Sequence, residues 1–454
     1  MMFFRVLFFC LFCVYPNLLW ALTMGPMPDI VKDDRILILA PHPDDEAIGA
    51  AGVIQKAVAV GAEVKIALLT NGENNELSFI AYKKRPILGR KGLTAMGQVR
   101  RGESIAAMST LGLNENDIVS LGYPDFGTME VMMRAWGEGA KPLRSMLSRV
   151  QYVPYENAMS PNAPYVGDSV LKDLESIMTS FKPTKVFVSH PADANRDHRA
   201  LYLFMKVALW DLEGKIHQPD VYPYIIHVAG WPKPKGYHPE KILDVPKDLE
   251  HSVIAWKYLK LEPEEVEKKY EAILRYVSQN KGVPKYLVSF AKQNELFGDY
   301  PSVVIWRQMA SEVKWQYITT GDEGLPQRQA SQPDYISALS YARQGNDLLI
   351  RLNLVQEIDK EIGLTIRLLG YSAKTPFAKM PKISIVLGFG RLEIKDKDNR
   401  LPSKDIIFTS EGKVLTFRVP LSLLGDPDRI LSSAKTSVFN LTMDETAWRV
   451  LEIK

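Results

Sequence analysis

A short apolar run followed directly by one histidine and three acids constrains the fold of this chain more than any other feature. Residues 36–40 read Ile-Leu-Ile-Leu-Ala, which is typical of a buried parallel strand, and residues 41–46 read Pro-His-Pro-Asp-Asp-Glu. The small apolar residues at 47–54 predict a helix packed on that strand. Open α/β sheets bind ligands at the carboxyl ends of their strands. Burying several carboxylates there without a cation is costly, so the cluster indicates a functional site.

The order of strand-like and helix-like stretches predicts the fold class. From about residue 36 to 228, apolar runs alternate with helical stretches, which is typical of a Rossmann-like α/β fold with a mostly parallel sheet and helices on both faces. After about Trp315 the chain changes to short alternating segments separated by turn residues, which predicts an antiparallel β-sandwich. The predicted domains are a signal segment at 1–23, an α/β domain at 34–310 and a β-sandwich accessory domain at 315–454.

The first residues are typical of a secretory signal rather than of a folded domain. Arg5 precedes an apolar run at 6–15, and cleavage is expected after Ala21. We therefore expect an exported protein, in a bacterial periplasm or envelope or secreted, which meets a membrane only if this segment stays uncleaved. Cys10 and Cys13 lie within the segment, so metal ligands in the mature protein would be His, Asp or Glu. The net charge of +3 on 454 residues argues against a nucleic-acid partner.

A second polar cluster follows another predicted strand. Residues 190–198 read His-Pro-Ala-Asp-Ala-Asn-Arg-Asp-His and contain two of the seven histidines of the chain. Because parallel strands end at one edge of a sheet, His42, Asp45 and one of these histidines can meet there as metal ligands. Catalytic zinc sites use three protein ligands and keep a position for water, whose pKa the metal lowers to about 7. Asp44 is then the candidate base. Glu46 is expected either to lie behind the ligands or to act electrostatically at the start of the helix.

The two clusters resemble the two sequence motifs of the LmbE-like, or PIG-L, family of zinc de-N-acetylases. Residues 41–46 match the first motif and residues 190–198 match the second, in the order and at the separation found in the family. The resemblance covers about 34–297 and implies a zinc-dependent hydrolase of N-acetylated amino sugars, although Fe²⁺ or Co²⁺ would also suit such ligands. The roles that the resemblance implies are zinc ligands His42, Asp45 and His198, general base Asp44, and sugar contacts Arg100 and Asp125.

Asn195 departs from the family pattern. Many members carry a histidine at this position, where it donates a hydrogen bond to the oxyanion and can act as an acid. An amide can donate that hydrogen bond but cannot supply the proton, and losing one oxyanion donor typically costs about 10²–10³ in rate. We therefore expect either that Asp44 carries out both proton transfers or that another group, such as His190, supplies the acid. Asp197 is expected to orient His198.

These features together predict an exported zinc-dependent hydrolase that removes acetyl groups from an N-acetylglucosamine-containing glycan or glycoconjugate. Export favours a glycan substrate over a cytosolic thiol precursor. Two alternatives stay open: another amide or carbamoyl hydrolase on the same scaffold, and a glycan-binding protein that has lost its catalysis. The β-sandwich is expected either to bind carbohydrate or to serve a structural or dimerising role.

Overall fold

The computed structural model describes residues 24–75, 80, 82, 84, 89–309, 313–320, 335–357, 362–388, 390–439 and 441–454. The predicted signal segment at 1–23, with both cysteines, lies outside the described residues. Strands and helices are numbered in chain order over the described part. Across these ranges, no helix has the length and apolar character needed to cross a membrane.

Five parallel strands form the central sheet of the N-terminal part: β2 (Arg35–Ala40), β3 (Glu63–Thr70), β4 (Ile118–Tyr123), β5 (Lys185–Ser189) and β6 (Asp220–Tyr224). Their order in the sheet is β4-β3-β2-β5-β6, and the apolar run at 36–40 lies in the buried middle strand. The chain builds one half of the sheet from β2 to β4, then crosses over and builds the other half from β5. Such a reversal opens a crevice at the carboxyl ends of β2 and β5.

Helices cover both faces of this sheet. Ile36 and Ile38 of β2 belong to the apolar core on one face, and Leu37 and Leu39 belong to the core on the other. The first face carries α1 (Asp45–Val60), α2 (Gly89–Thr110) and α6 (Pro263–Leu274), and the second carries α3 (Thr128–Arg134), α4 (Gly167–Phe181) and α5 (Arg196–Asp211). The predicted Rossmann-like fold is therefore confirmed.

A small sheet and a short helix complete the N-terminal part. The sheet packs against the first face of the central sheet, since Leu259 and Leu296 belong to that core. Its strands are β1 (Gly25–Pro26), β7 (Lys257–Lys260) and β8 (Asn294–Phe297), and the short helix is α7 (Val277–Gly282).

Two further sheets form the C-terminal part. One sheet contains β10 (Arg307–Gln308), β11 (Gln316–Thr320), β12 (Ile336–Gln344), β13 (Asp347–Leu354), β18 (Ile407–Glu411) and β19 (Val414–Pro420). The other contains β9 (Val303–Ile305), β14 (Ile362–Tyr371), β15 (Lys382–Gly388), β16 (Arg391–Asp396), β17 (Asn399–Leu401), β20 (Arg429–Val438), β21 (Leu441–Glu445) and β22 (Arg449–Ile453).

Neighbouring strands in these two sheets run antiparallel, apart from the short parallel pairs β9 with β22 and β10 with β12. Ile350 and Phe417 from one sheet and Ile366 and Ile385 from the other share one buried apolar core. The predicted antiparallel β-sandwich is therefore confirmed.

One sheet of the β-sandwich also packs against the α/β part. Leu368 of β14 points into the sandwich core, whereas its neighbour Leu369 belongs to the core that covers the second face of the parallel sheet. Trp448, which is fully buried, joins the same core as Leu369. The two parts of the molecule therefore share a continuous apolar interface.

Candidate active site

The three predicted metal ligands meet in the crevice between β2 and β5. His42 follows β2, Asp45 begins α1, and His198 lies in the first turn of α5. Oδ2 of Asp45 lies 3.2 Å from Nδ1 of His42 and 3.1 Å from Nε2 of His198, and all three side chains are buried. The potential ligand atoms all lie within 4.8 Å of one another, close enough to hold one metal ion. We call residues 41–46 the first loop and residues 190–198 the second loop.

The donor atoms of this group fit a metal ion. Nε2 of His198 is buried and, although it lies close to Asp45, it makes no hydrogen bond of good geometry within the described residues. Buried polar atoms without such a partner are rare and call for an explanation such as a bound ion. Burial lowers the pKa of His198, but Asp193 and Asp45 outweigh this effect and raise the pKa to about 9. The surrounding carboxylates therefore favour a positive charge at this place.

Asp193 is a residue that the sequence prediction missed, and it holds His198 in place. Its Oδ2 lies 3.2 Å from Nδ1 of His198, and its Oδ1 lies 3.0 Å from Nδ1 of His227. The N–H groups of Asn195, Ile226 and His227 donate to the same carboxylate at 2.8, 3.0 and 3.0 Å. A carboxylate behind a metal-binding histidine fixes the orientation of the ring. Its place as the fourth residue of the second motif was the available signal.

Asp197 contacts His42 and not His198, which corrects the predicted pairing. Its carboxylate lies 3.4 Å from Nε2 of His42 and accepts the N–H groups of Phe126 at 2.6 Å and Thr128 at 3.0 Å. Consecutive side chains of an α-helix point about 100° apart. Asp197 therefore faces the start of α3, whereas His198, one position further along α5, faces Asp45.

His190 does not line the cavity at the site, so the structure does not support its predicted role as the acid. Its ring stacks on Trp256 with the centroids 5.7 Å apart, and its Nδ1 accepts the N–H of Ala192 at 3.1 Å. Burial lowers the pKa of His190 to about 4. The turn that begins the second loop therefore directs this ring into the protein interior.

Asp44 has a backbone conformation that L-residues rarely adopt, with φ of 133°. Its N–H donates to Glu46 at 3.0 Å, and Nη2 of Arg100 lies 3.1 Å from its carboxylate. Arg100 also donates to the carbonyls of Pro43 and Gly72, at 2.7 and 2.9 Å. Burial raises the pKa of Asp44 to about 8, although the Arg100 guanidinium opposes the effect. Strained residues of this kind cluster at functional sites, where their surroundings hold them.

Glu46 holds the first loop from inside the α/β domain. Besides the N–H of Asp44, its carboxylate accepts the hydroxyl of Ser104 and, at 2.7 Å, the hydroxyl of Tyr276. These partners are all buried. Tyr276 lies between α6 and α7, where no motif of the sequence indicated a contribution to the site.

A small cavity of about 130 Å³ lies over the metal-ligand group. Asn195 accepts the N–H of Asp197 at 2.9 Å through its Oδ1, so its NH₂ group is the part that can donate to a ligand. Asp125 is buried, with its Oδ1 3.2 Å from Nε2 of His42. The lining includes two of the candidate ligands, His42 and Asp45, and four other predicted residues, Asp44, Arg100, Asp125 and Asn195. Four residues that were not predicted as site residues complete it: Asn75, Phe126, His227 and Gln279.

The fold and this site define a class of α/β proteins that carry a candidate metal centre in a strand-end crevice. Residues 37–209, which include both loops, match the family model described as GlcNAc-PI de-N-acetylase, PIG-L. Over this part of the chain the PIG-L, or LmbE-like, de-N-acetylase family is matched, and the resemblance predicted from the two motifs is confirmed.

The similar proteins include both curated sequences and solved structures. A 1D-myo-inositol 2-acetamido-2-deoxy-alpha-D-glucopyranoside deacetylase from a Nocardioides species is 33% identical over 106 residues, which cover 23% of this chain and 33% of that protein. The chain thus matches about a third of the length of this relative. Other curated deacetylases with the same name match over similarly short stretches.

Two solved structures show the extent of the structural likeness. The conserved protein TT1542 from Thermus thermophilus is 21% identical, with 57% of this chain and 84% of that chain covered and a TM-score of 0.34. The N,N'-diacetylchitobiose deacetylase from Pyrococcus horikoshii is 20% identical, with 55% and 72% covered and a TM-score of 0.33. Likeness at this level does not define a shared activity.

Proposed function

We propose that this protein is a zinc-dependent de-N-acetylase that hydrolyses the acetamide of an N-acetylglucosamine-containing glycan or glycoconjugate. The observation that carries the proposal is the buried group of His42, Asp45 and His198, with Asp44 beside it in the lining of the cavity. Two histidines and a carboxylate are a three-ligand set that catalytic zinc sites use, although Fe²⁺ and Co²⁺ suit the same atoms. The family match supports the reaction type, and the names of the curated relatives support an acetamido sugar as substrate.

The residues around the cavity have different roles in the proposed amide hydrolysis. Zinc, when bound, would polarise the acetamide carbonyl and make water a stronger nucleophile at neutral pH. Asp44 takes a proton from the attacking water, and Arg100 holds its carboxylate in place. The NH₂ group of Asn195 donates a hydrogen bond to the oxygen that gains negative charge. When the C–N bond breaks, Asp44 returns the proton to the nitrogen, so that acetate and an amine leave.

We assign both proton transfers to Asp44, the carboxylate of the lining that Arg100 holds, rather than to His190. Asn195 cannot supply a proton, and His190 is buried against Trp256 outside the lining. Asp44 is itself buried in the lining, where its carboxylate can accept a proton and return it. Single-residue acid and base catalysis is therefore part of the proposal.

We also propose that the protein is exported, on the support of the secretory pattern in residues 1–23. Export favours a cell-wall fragment or an exopolysaccharide as the glycan. Fractionation of the source cells with an antibody against the chain tests this point, and a purely cytosolic protein would contradict it.

The experiment that tests the activity measures acetate release from N-acetylglucosamine oligomers and from poly-N-acetylglucosamine. The zinc-loaded protein should release acetate, and Asp44→Asn should lower the rate by about 10²–10⁴-fold while zinc content stays unchanged. The matched control is Asp173→Asn, because Asp173 is a buried carboxylate bonded to Tyr123 and Ser160 and lies outside the cavity lining. That variant should keep its activity within about threefold.

The same assay separates the alternatives. Ammonia or carbon dioxide released from carbamoylated sugars, without acetate from acetamides, would indicate a carbamoyl hydrolase. Glycan binding without any release, in protein that holds one zinc per chain, would indicate a binding protein that has lost its catalysis. Either outcome would overturn the proposed de-N-acetylase.

A further inference from the structure

The second loop rests on the β-sandwich as well as on its own domain. The backbone N–H of Trp448, just before β22, donates to the carbonyl of Pro191 at 3.2 Å. Trp448 is fully buried, so this contact lies inside the interface between the two domains and not at its rim. The sandwich therefore touches the backbone that leads from β5 into the metal-ligand group.

A buried ion pair extends this contact toward the site. Arg199 follows His198 in α5 and is completely buried. Its Nε donates to the carbonyl of Asp193 at 2.5 Å, and its Nη1 lies 3.2 Å from Oε2 of Glu445 at the end of β21. The other oxygen of Glu445 lies 2.7 Å from Nη1 of Arg367 on β14. Glu445 thus lies between two buried guanidinium groups, one from each domain.

The contacts form an unbroken series from the sandwich to a candidate metal ligand. Glu445 pairs with Arg199, Arg199 binds the backbone of Asp193, and the carboxylate of Asp193 lies against His198 and His227. A buried ion pair is weak evidence for a role in stability, because well-packed apolar residues often serve as well. Holding Asp193 in one position, by contrast, requires hydrogen-bond donors at defined places, and Arg199 is one of these donors.

We propose that the β-sandwich positions the metal centre, and that Glu445 is the positioning residue through which it does so. Glu445 fixes the position of the Arg199 guanidinium. Arg199 in turn fixes the backbone of Asp193, whose carboxylate determines the direction of the His198 ring. The inference rests on the proposed metal-binding function, but not on any particular substrate. The sandwich then contributes to metal binding at the site and is more than an independent accessory domain.

The interface offers a matched control at the far end of the same helix. Tyr371 of β14 donates its hydroxyl to Asp211, the last residue of α5, at 3.0 Å. This hydrogen bond also joins the sandwich to α5, but it lies at the end opposite to His198. Tyr371→Phe removes it without touching the second loop.

The test measures zinc affinity by competition with a chelator on the full chain, together with the unfolding midpoint. Glu445→Gln should weaken zinc affinity by about tenfold, the lower end of the range for residues that orient metal ligands, because it acts through Arg199. Tyr371→Phe should leave zinc affinity within about twofold, even where it lowers the midpoint. In the acetate assay Glu445→Gln should lower kcat with KM within about twofold.

A second variant keeps the test decisive if Glu445→Gln does not fold. Arg199→Lys keeps the positive charge but has a single nitrogen, which cannot reach both Asp193 and Glu445, so it should show the same loss of zinc affinity. Zinc affinity equal to wild type in either folded variant would overturn the inference and leave the proposed function standing. Failure of the wild type to bind zinc would instead overturn the proposed metal centre.

Discussion

The first loop is held by its own domain, whereas the second loop is held by its own domain and by the sandwich as well. Arg100 and Glu46 fix Asp44 in the first loop through contacts that stay within the α/β part. The second loop instead receives a backbone hydrogen bond from Trp448 and, through Arg199, a contact to Glu445 of the sandwich.

The difference separates two tasks. The supports of the first loop converge on Asp44, the proposed base. The supports of the second loop converge on Asp193 and therefore on His198, a candidate metal ligand. Changes to the residues that hold Asp44 should therefore affect chemistry more than metal binding, and changes to the residues that hold His198 should do the reverse.

Asp45→Asn should have the largest effect, because Asp45 joins the two loops. Its Oδ2 lies between His42 and His198, so the substitution removes a charged candidate ligand shared by both halves. We expect zinc affinity to fall by about 10³-fold, since few ligands share the binding energy. Chelator competition measures the loss. Unchanged zinc affinity would show that the ion does not bind between the loops. The two loops would then not hold a shared metal centre.

The second loop should also respond to acid through His190. Burial lowers the pKa of His190 to about 4, and Arg449 and Arg199 act in the same direction, while Asp299 and Asp193 oppose them. The unfolded chain binds this proton near pH 6.5, so the free energy of unfolding should fall as the pH drops from 6.5 toward 4. The full loss is roughly 3 kcal/mol.

Chemical denaturation at a series of pH values measures this slope. His190→Asn keeps an acceptor near the N–H of Ala192 but removes the titrating ring, so its slope in this range should be smaller than that of the wild type. Equal slopes in the two proteins would assign the acid sensitivity to other groups and not to the second loop.

Local patterns in the sequence predicted the strands and the residues next to their ends. The apolar run before His42 and the alternating segments after Trp315 are each visible within a few residues, and both predictions are confirmed. The supporting residues were less visible. Asp197 lies next to His198 in the sequence, yet the helix turns it toward His42, and Asp193 takes the place predicted for it.

Contacts between distant segments could not be predicted in this way. Glu445 is separated from Arg199 by more than half of the chain, and Tyr276 is marked by no motif. Their roles depend on how the sandwich and α6 pack, which a single sequence does not specify. The residues that distinguish the supports of the two loops, Tyr276 and Glu445, are therefore identified only from the folded structure.

Glu46→Gln should have the smallest effect and gives the sharpest test of the division between the loops. Glutamine keeps one oxygen for Tyr276 or for the N–H of Asp44 but loses the charge that binds both, so Asp44 should be held less firmly. We expect kcat to fall by about tenfold while zinc affinity stays within about twofold. Glu445→Gln should instead weaken zinc affinity by about tenfold. Measuring kcat and zinc affinity for both variants therefore tests whether the two loops are supported separately. A Glu46→Gln protein that loses zinc as readily as Glu445→Gln would show that the two loops are supported as one unit, because the first loop would then position the metal ligands as much as the base.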